Sequence, residues 1–463
     1  MDRSIFRAYS IRGVFGKTLT PTDMYLIGQA AGTMLGNAGI THAVVGRDYR
    51  LSSAELSVVL LKGLVSTGMH LVDIGTCPTP TLNYATDHYR AGAGLMVTAS
   101  HNPPQYNGLK IRTDHTLCDD ELQALYQIAR AYTDENGAFR RGDGAISHRE
   151  PLGDYLDALC RRTAVDRPLR LVVDAGNGAA GPVVPLLLER LDCQAIPLHC
   201  VPDGRFPGRV PDPTALGALD ELSARVVAEG ADAGLAYDGD GDRLAMVDDR
   251  GQPVYADRLL ILLAGETLPA HPGGKVVYEL TCTQALPETV ETLGGEAIPC
   301  PVGYAFVHET MRATGAILGG ETAGHLFFGD PDFRFDDAML ATAKMVALLS
   351  RTAEPLSALL ARLPQYHRSP QYRFHCPDKT KTHVVAAVRD RFLEQGYEVI
   401  TLDGAKILFG DGWALFRASN TQPAVTLHCE ATTVGALNAI QDAMLRAIEQ
   451  ALASLGIQLD SAH

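Results

Sequence analysis

A serine at position 100 stands among residue types that could make it reactive. It lies in Thr98-Ala99-Ser100-His101-Asn102-Pro103-Pro104, and Asn107-Gly108-Leu109-Lys110 follows closely. Serine is a weak nucleophile unless a base is near, and His101 and Lys110 are near in the chain. The two prolines stiffen the loop. Residues 94–98 just before it are an apolar run that reads as a strand, and open α/β sheets place ligands at strand C-terminal ends. Farther along comes Asp238-Gly239-Asp240-Gly241-Asp242-Arg243. Three carboxylates at alternate positions can turn their oxygens toward one hard cation, and the glycines let the backbone bend tightly enough. Magnesium suits such a set, because it takes oxygen ligands and keeps sites for phosphate oxygen. The residues argue against a calcium loop of the EF-hand kind: its sixth position here is Arg243, not glycine, and its twelfth is Asp249, not glutamate.

Two further stretches suit a sugar phosphate. In Gly319-Gly320-Glu321-Thr322-Ala323-Gly324-His325 the glycines expose backbone, Glu321 can accept from hydroxyls, and His325 can give or take a proton. In Arg417-Ala418-Ser419-Asn420-Thr421-Gln422-Pro423 the donors Arg417, Ser419, Asn420 and Thr421 can cradle a phosphate. Tyr9-Ser10-Ile11-Arg12-Gly13 and Pro301-Val302-Gly303-Tyr304 are ordinary turns when taken alone.

Short β-rich runs alternating with helical segments must position these loops. Residues 41–45 read as a strand, 52–66 as a helix with Leu56, Val59, Leu60 and Leu64 on one face, and 70–74 as the next strand. Strand, helix, strand at this spacing means βαβ units and a mostly parallel sheet. The pattern restarts at 169–174 and 233–237, then at 275–279 and 316–319, with a helix over 336–350. The end of the chain differs. A helix is expected over 384–394, strands over 399–403, 405–409, 414–418 and 424–431, and a helix over 434–455. Strands grouped before a terminal helix make an α+β domain. The expected fold is therefore three similar α/β domains with mixed, mostly parallel sheets plus a C-terminal α+β domain. The boundaries fall at 1–148, 149–251, 252–365 and 366–463, with 362–368 as a linker.

Net charge is −14, from 40 basic and 54 acidic residues, with no long basic run. That argues against a nucleic-acid partner and requires any phosphate site to gather cations locally. No apolar run of 18 residues suggests a membrane span. The nine cysteines show no C-x-x-C or regular spacing, so reduced thiols in a cytoplasmic protein are expected.

Taken together, residues 9–13, 45–53, 98–110, 238–243, 319–325 and 417–423 resemble the α-D-phosphohexomutase superfamily, in its order and over nearly the whole chain. The resemblance implies four domains around one central cleft, each giving one loop. It implies a phosphoserine at Ser100. It implies Mg²⁺ held by Asp238, Asp240 and Asp242 with the Ser100 phosphate as a further ligand. Glu321 and His325 would contact sugar hydroxyls, and Arg417, Ser419, Asn420 and Thr421 would grip the phosphate that is not reacting. Arg12, Lys110, Arg243 and His101 would line the reacting phosphate and move protons, with His101, Lys110 and His325 all open as the base. Tyr9, Gly303, Tyr304 and Ala323 stand at substrate positions of the same stretches.

The implied reaction interconverts hexose 6-phosphate and hexose 1-phosphate. A hexose 1,6-bisphosphate serves as intermediate and activator. The implied partners are hexose phosphates, and the chain would act as a monomer or homodimer. The loop Arg417-Ala418-Ser419-Asn420-Thr421 is similar to the R-A-S-N-T of the phosphomannomutase branch, whereas phosphoglucosamine mutases show R-P-S-G-T-E-P. Mannose is therefore the first expectation, with glucose and glucosamine as alternatives. A regulator without catalysis and a phosphatase are the readings from other classes.

Three residues depart from the family pattern. Ser10 replaces the Asp of Y-D-I-R-G, which would hold Arg12 more weakly. Ala323 replaces the Ser of G-E-x-S-G-H, losing a hydroxyl worth about 1 kcal/mol unless Thr322 replaces it. His308 stands where many relatives carry Lys.

Overall fold

A computed structural model describes residues 1–133, 138–419 and 424–455. The chain forms two compact units: Met1–Leu259 with Ala323–Leu359, and Leu260–Thr322 with Leu360–His463.

The first unit contains two mixed sheets. In the six-stranded one the order is Ile11–Val14, Tyr106–Arg112, Ala93–Val97, His42–Arg47, His70–Thr76 and Ile146–His148. The last four run parallel, and Tyr106–Arg112 is antiparallel to both its neighbours. Ala93–Val97 is buried at every residue, as a strand covered on both faces must be, and its sequence is accordingly apolar throughout. One face packs against the helices Pro21–Asn37 and Ser53–Val65, through residues such as Ile27, Leu56 and Leu60. The other face packs against Thr79–His88 through Leu82 and Ala85.

The five-stranded sheet has the order Pro253–Val254, Leu244–Val247, Ala233–Tyr237, Arg170–Asp174 and Gln194–Leu198. Its last three strands are parallel, and Leu244–Val247 returns antiparallel to Ala233–Tyr237. The helix Ala338–Ser350 belongs to the same unit and is buried almost all round. Asp337 caps its N-terminus by accepting from Met339 and Leu340 N–H.

Both sheets repeat one local design. A buried parallel strand runs into a polar loop and returns antiparallel. Ala93–Val97 leads through the Ser100 loop to Tyr106–Arg112, and Ala233–Tyr237 leads through the aspartate loop to Leu244–Val247.

The second unit contains a parallel set in the order Glu296–Cys300, Lys275–Glu279, Leu318–Gly320, with the helices Ala285–Thr292 and Tyr304–Thr314. Its other sheet is antiparallel. Glu398–Ile400, Ala405–Phe409, Gly412–Ala418 and Ala424–Ala431 pair in sequence, and both His367–Arg368 and Tyr372–His375 pair with Ala424–Ala431. Lys381–Glu394 and Val434–Ser454 bury Val384, Phe392, Ile440 and Met444 in its core.

Two expectations need correction. The segment at 362–368 is not a plain linker, because His367 and Arg368 form a strand opposite Ala431 and Glu430. The strand at 399–403 ends at Ile400, before a turn with Gly404 at φ +76°. Among the described residues no helix is long and apolar enough to cross a membrane.

Candidate active site

Ser100 is buried and adopts φ +49°. A residue with a Cβ pays for the left-handed region, on the order of 1 kcal/mol or more, and holds it only where its surroundings enforce it. Arg50 enforces it here. Its fully buried guanidinium donates to the carbonyls of Ser100 and Asn102 at 2.6 Å each, of Pro103 at 2.7 Å and of Tyr106 at 3.0 Å. Asp48 anchors Arg50 Nε at 3.2 Å and accepts from the Thr98 hydroxyl at 2.8 Å. Thr98 Oγ1 in turn accepts from the Ser100 N–H at 2.8 Å. Asp48 and Arg50 shape the whole serine loop, yet sequence reasoning assigned neither a role. Their signal was the stretch 45–53, which resembles the family but points to no role for either residue.

The serine hydroxyl faces the aspartate loop. Ser100 Oγ donates to Asp238 Oδ2 at 2.6 Å and lies 3.1 Å from His101 Nδ1. The two loops approach so closely that a Cβ on Gly239 would stand 2.4 Å from the Ser100 carbonyl oxygen. Asp238, Asp240 and Asp242 are buried, and oxygens from the three lie within 4.8 Å of one another. Asp238 Oδ1 accepts from the N–H groups of Gly241, Asp242 and Arg243 at 3.0–3.3 Å. Lys110 Nζ donates to Asp240 Oδ2 at 2.7 Å and to Asp242 Oδ2. Repulsion among the three carboxylates is thus offset here by an ammonium from the first sheet. Burial and the two neighbouring carboxylates push Asp238 well above the usual carboxyl range. Burial acts upward on Asp242 too, but Lys110, His325 and Arg243 outweigh it and hold Asp242 well below.

Cations complete this face. Arg12 Nε donates to Ser10 Oγ at 3.0 Å, and its Nη1 to the Ala99 carbonyl at 3.2 Å and to Asn102 Oδ1. The buried Ser10 therefore does orient Arg12, through one hydrogen bond to a neutral hydroxyl where a carboxylate would give an ion pair. Burial, with the charges of Arg243, Arg12 and Lys110, pushes His101 well below the ordinary imidazole range. His101 is neutral at pH 7. His325 is buried with Nε2 3.1 Å from Asp242 Oδ1 and 3.6 Å from Asp336 Oδ2, and Arg243 Nε donates to it at 3.3 Å. Burial raises Asp336 to about 6 although His325 draws it down. Sequence reasoning missed Asp336, which lies eleven residues past His325 with no motif around it. Tyr9 and Ala323 are half-buried in the same unit.

The second unit carries the other expected residues. Arg417 is buried in the strand Gly412–Ala418, where its Nε donates to Asp403 Oδ2 at 2.8 Å. Its Nη2 is buried without a hydrogen-bond partner among the described residues. Asp403 Oδ2 also accepts from Val302 N–H at 3.0 Å, tying the turn before Gly303 to Arg417. Gly303, at φ +139°, precedes the helix that starts at Tyr304. Ser419 accepts at its carbonyl from Lys381 Nζ at 2.7 Å. Asn420 and Thr421 lie outside the described residues. Glu321 is buried. Thr322 does not take the place of the hydroxyl lost at Ala323. Its Oγ1 is 2.8 Å from Glu279 Oε1 and 2.6 Å from Thr281 Oγ1, bound into its own unit.

The aspartate triad fits a divalent cation. It offers only oxygen, and Asp240 Oδ1 is buried with no hydrogen-bond partner among the described residues. A buried serine beside an oxygen-only cation site, ringed by arginine, lysine and histidine, is the equipment of a phosphoryl-transfer enzyme.

The chain belongs to the phosphoglucomutase/phosphomannomutase family. It matches the family's alpha/beta/alpha domain I over residues 3–136, domain II over 153–251, domain III over 255–366 and the C-terminal domain over 372–447. It is similar to the phosphomannomutase/phosphoglucomutase of Pseudomonas putida, 39% identical over 95% of this chain and 94% of that one. It is also similar to the phosphoglucomutase of Neisseria gonorrhoeae, 37% identical over 97% of each chain. A crystal structure of a phosphoglucomutase/phosphomannomutase family protein from Burkholderia thailandensis superposes with a TM-score of 0.91, at 37% identity and 100% coverage of both chains. At the level of fold alone, an Aspergillus fumigatus N-acetylphosphoglucosamine mutase has been solved with glucose 1,6-bisphosphate and with GlcNAc-6P and magnesium, each at 14% identity. The chain is an isomerase, a mutase of hexose phosphates with three α/β/α domains and a C-terminal domain.

Proposed function

We propose that this mutase moves phosphate between the 1- and 6-positions of a hexose, mannose first and glucose second, by way of a phosphate carried on Ser100. The observation that supports it best is the buried Ser100 hydroxyl 2.6 Å from Asp238, inside a ring of cations. In the first half-reaction the bond from phosphorus to Ser100 Oγ breaks and a bond to the free hydroxyl of the bound monophosphate forms. The hydroxyl proton passes to a protein base, and the departing Ser100 Oγ takes up a proton to become the free serine. The product is the 1,6-bisphosphate, which turns end over end and returns its other phosphate to Ser100.

Each residue then has a part. Asp238, Asp240 and Asp242 would hold Mg²⁺, which when bound supplies charge neutralisation at the phosphoryl oxygens. Lys110, Arg12 and Arg243 add positive charge where negative charge gathers on the oxygens of a loose transition state. Neutral His101, 3.1 Å from Ser100 Oγ, can receive a proton, and His325 and Lys110 stay candidates for the same step. Arg417, held by Asp403, would grip the distal phosphate with Ser419, Asn420 and Thr421. Glu321 would take sugar hydroxyls, with Tyr9, Gly303, Tyr304 and Ala323 around the ring. The test is a comparison of kcat/KM for mannose 1-phosphate, glucose 1-phosphate and glucosamine 1-phosphate with a trace of bisphosphate. Mannose and glucose should both turn over well above glucosamine. A preference for glucosamine, or release of free phosphate without isomer, would count against the proposal.

A further inference from the structure

Asp240 is held from outside its own sheet. Thr79 opens the helix Thr79–His88, which packs on the sheet that carries Ser100. The Thr79 hydroxyl donates to Asp240 Oδ2 at 2.6 Å. Its backbone N–H donates to the Asp240 carbonyl at 2.9 Å. Pro78 precedes it and provides no side-chain cap, so this first N–H of the helix has no partner within the helix and is satisfied by the metal loop instead. Both residues are buried. Oδ2 therefore accepts from Thr79 and from Lys110 at 2.7 Å. Oδ1, equally buried, accepts from nothing among the described residues. A carboxylate fixed at one oxygen and at its own carbonyl cannot rotate freely, and the oxygen left over is the one available to a cation.

We infer that Thr79 is a positioning residue for the divalent cation. Its hydroxyl fixes the Asp240 carboxylate so that Oδ1 is presented to the metal, and its N–H ties the metal loop to the sheet bearing the phosphorylated serine. The inference rests on the aspartate triad being a metal site. Partners that orient a metal's ligands commonly set its affinity about tenfold to a hundredfold.

The test is Mn²⁺ binding to the full-length chain, read as free Mn²⁺ by electron paramagnetic resonance, with thermal unfolding in EDTA as a control for folding. Thr79→Val should weaken Mn²⁺ at least about tenfold while still unfolding cooperatively in EDTA. Thr79→Ser, which keeps the hydroxyl, should bind within about threefold of the wild type. Wild-type affinity in Thr79→Val, or an equal loss in Thr79→Ser, would overturn the inference. Should the valine variant fail to fold, Thr79→Ala decides it by the same two outcomes. No Mn²⁺ bound by the wild type would instead overturn the metal reading itself.

Discussion

At the scale of single residues, the reactive groups and their partners carry different expectations. Ser100→Ala removes the atom proposed to carry the phosphate, so turnover should fall by on the order of a thousandfold or more, as for other nucleophile deletions, with the unfolding temperature kept. A coupled assay with hexose 1-phosphate measures it, and a variant with near wild-type turnover would refute the role. Arg417→Ala removes a charged donor, worth about 1.5–3 kcal/mol. KM for the hexose phosphate should rise about tenfold to a hundredfold while kcat changes far less. An unchanged KM would put the distal phosphate elsewhere. The motif residues were legible in the sequence because each loop gathers its chemistry within one short run of chain. The residues that hold them were not. Arg50 acts on carbonyls about fifty residues away, Thr79 on an aspartate 161 residues away, and Asp403 reaches both Val302 and Arg417. Such contacts leave no local pattern. Nor did the sequence show that Thr322 points to Glu279 and Thr281.

At the scale of elements, the strand-loop-return design puts two backbones in contact at Gly239. An alanine there would press its Cβ to 2.4 Å from the Ser100 carbonyl oxygen. One loop must then move, and shifts of about 1 Å can cost a hundredfold in rate. Gly239→Ala should lose at least that much kcat while thermal unfolding shows it still folded. In the second unit, Lys406 on the strand Ala405–Phe409 is buried, donates to the Leu280 carbonyl at 3.0 Å and lies over the Trp413 ring. Burial lowers its amine from 10.5 to about 8 although Glu430 pulls it upward. Unfolded, this lysine holds its proton more tightly than folded, so the cost of burying the charge is present in full at pH 7. It is relieved as pH rises from about 8 toward 10.5. Stability of the wild type relative to Lys406→Met should therefore increase over that window, by about 3 kcal/mol. Urea unfolding at pH 7.5 and pH 10 checks the sign, and a difference that shrinks with pH would contradict it. A uniform apolar run made Ala233–Tyr237 readable from sequence, and β-branched and apolar residues at the centre of Lys275–Glu279 and along Ala424–Ala431 did the same there. The strand His367–Arg368 was not, because two polar residues become a strand only through the edge that Glu430 and Ala431 offer.

At the scale of the whole molecule, a chain with net charge −14 handles anionic substrates, which it can do only by concentrating cations. Arg12, Lys110 and Arg243 are gathered at the serine and aspartate loops, and Arg417 with Lys381 lies in the second unit. Activity should vanish in excess EDTA and return with Mg²⁺, and full activity in EDTA would exclude the metal. The alternation of strands and helices made three α/β domains and a terminal α+β domain legible. Their grouping into two compact units crosses the chain near 260, 323 and 360 and depends on packing that no linear pattern records. The most direct measurement is transfer of radiolabelled phosphate. Enzyme incubated with labelled glucose 1,6-bisphosphate should carry the label on the peptide containing Ser100, and unlabelled mannose 6-phosphate should remove it onto sugar as fast as the enzyme turns over. Label on another residue, or full turnover with none on Ser100, would contradict the mechanism.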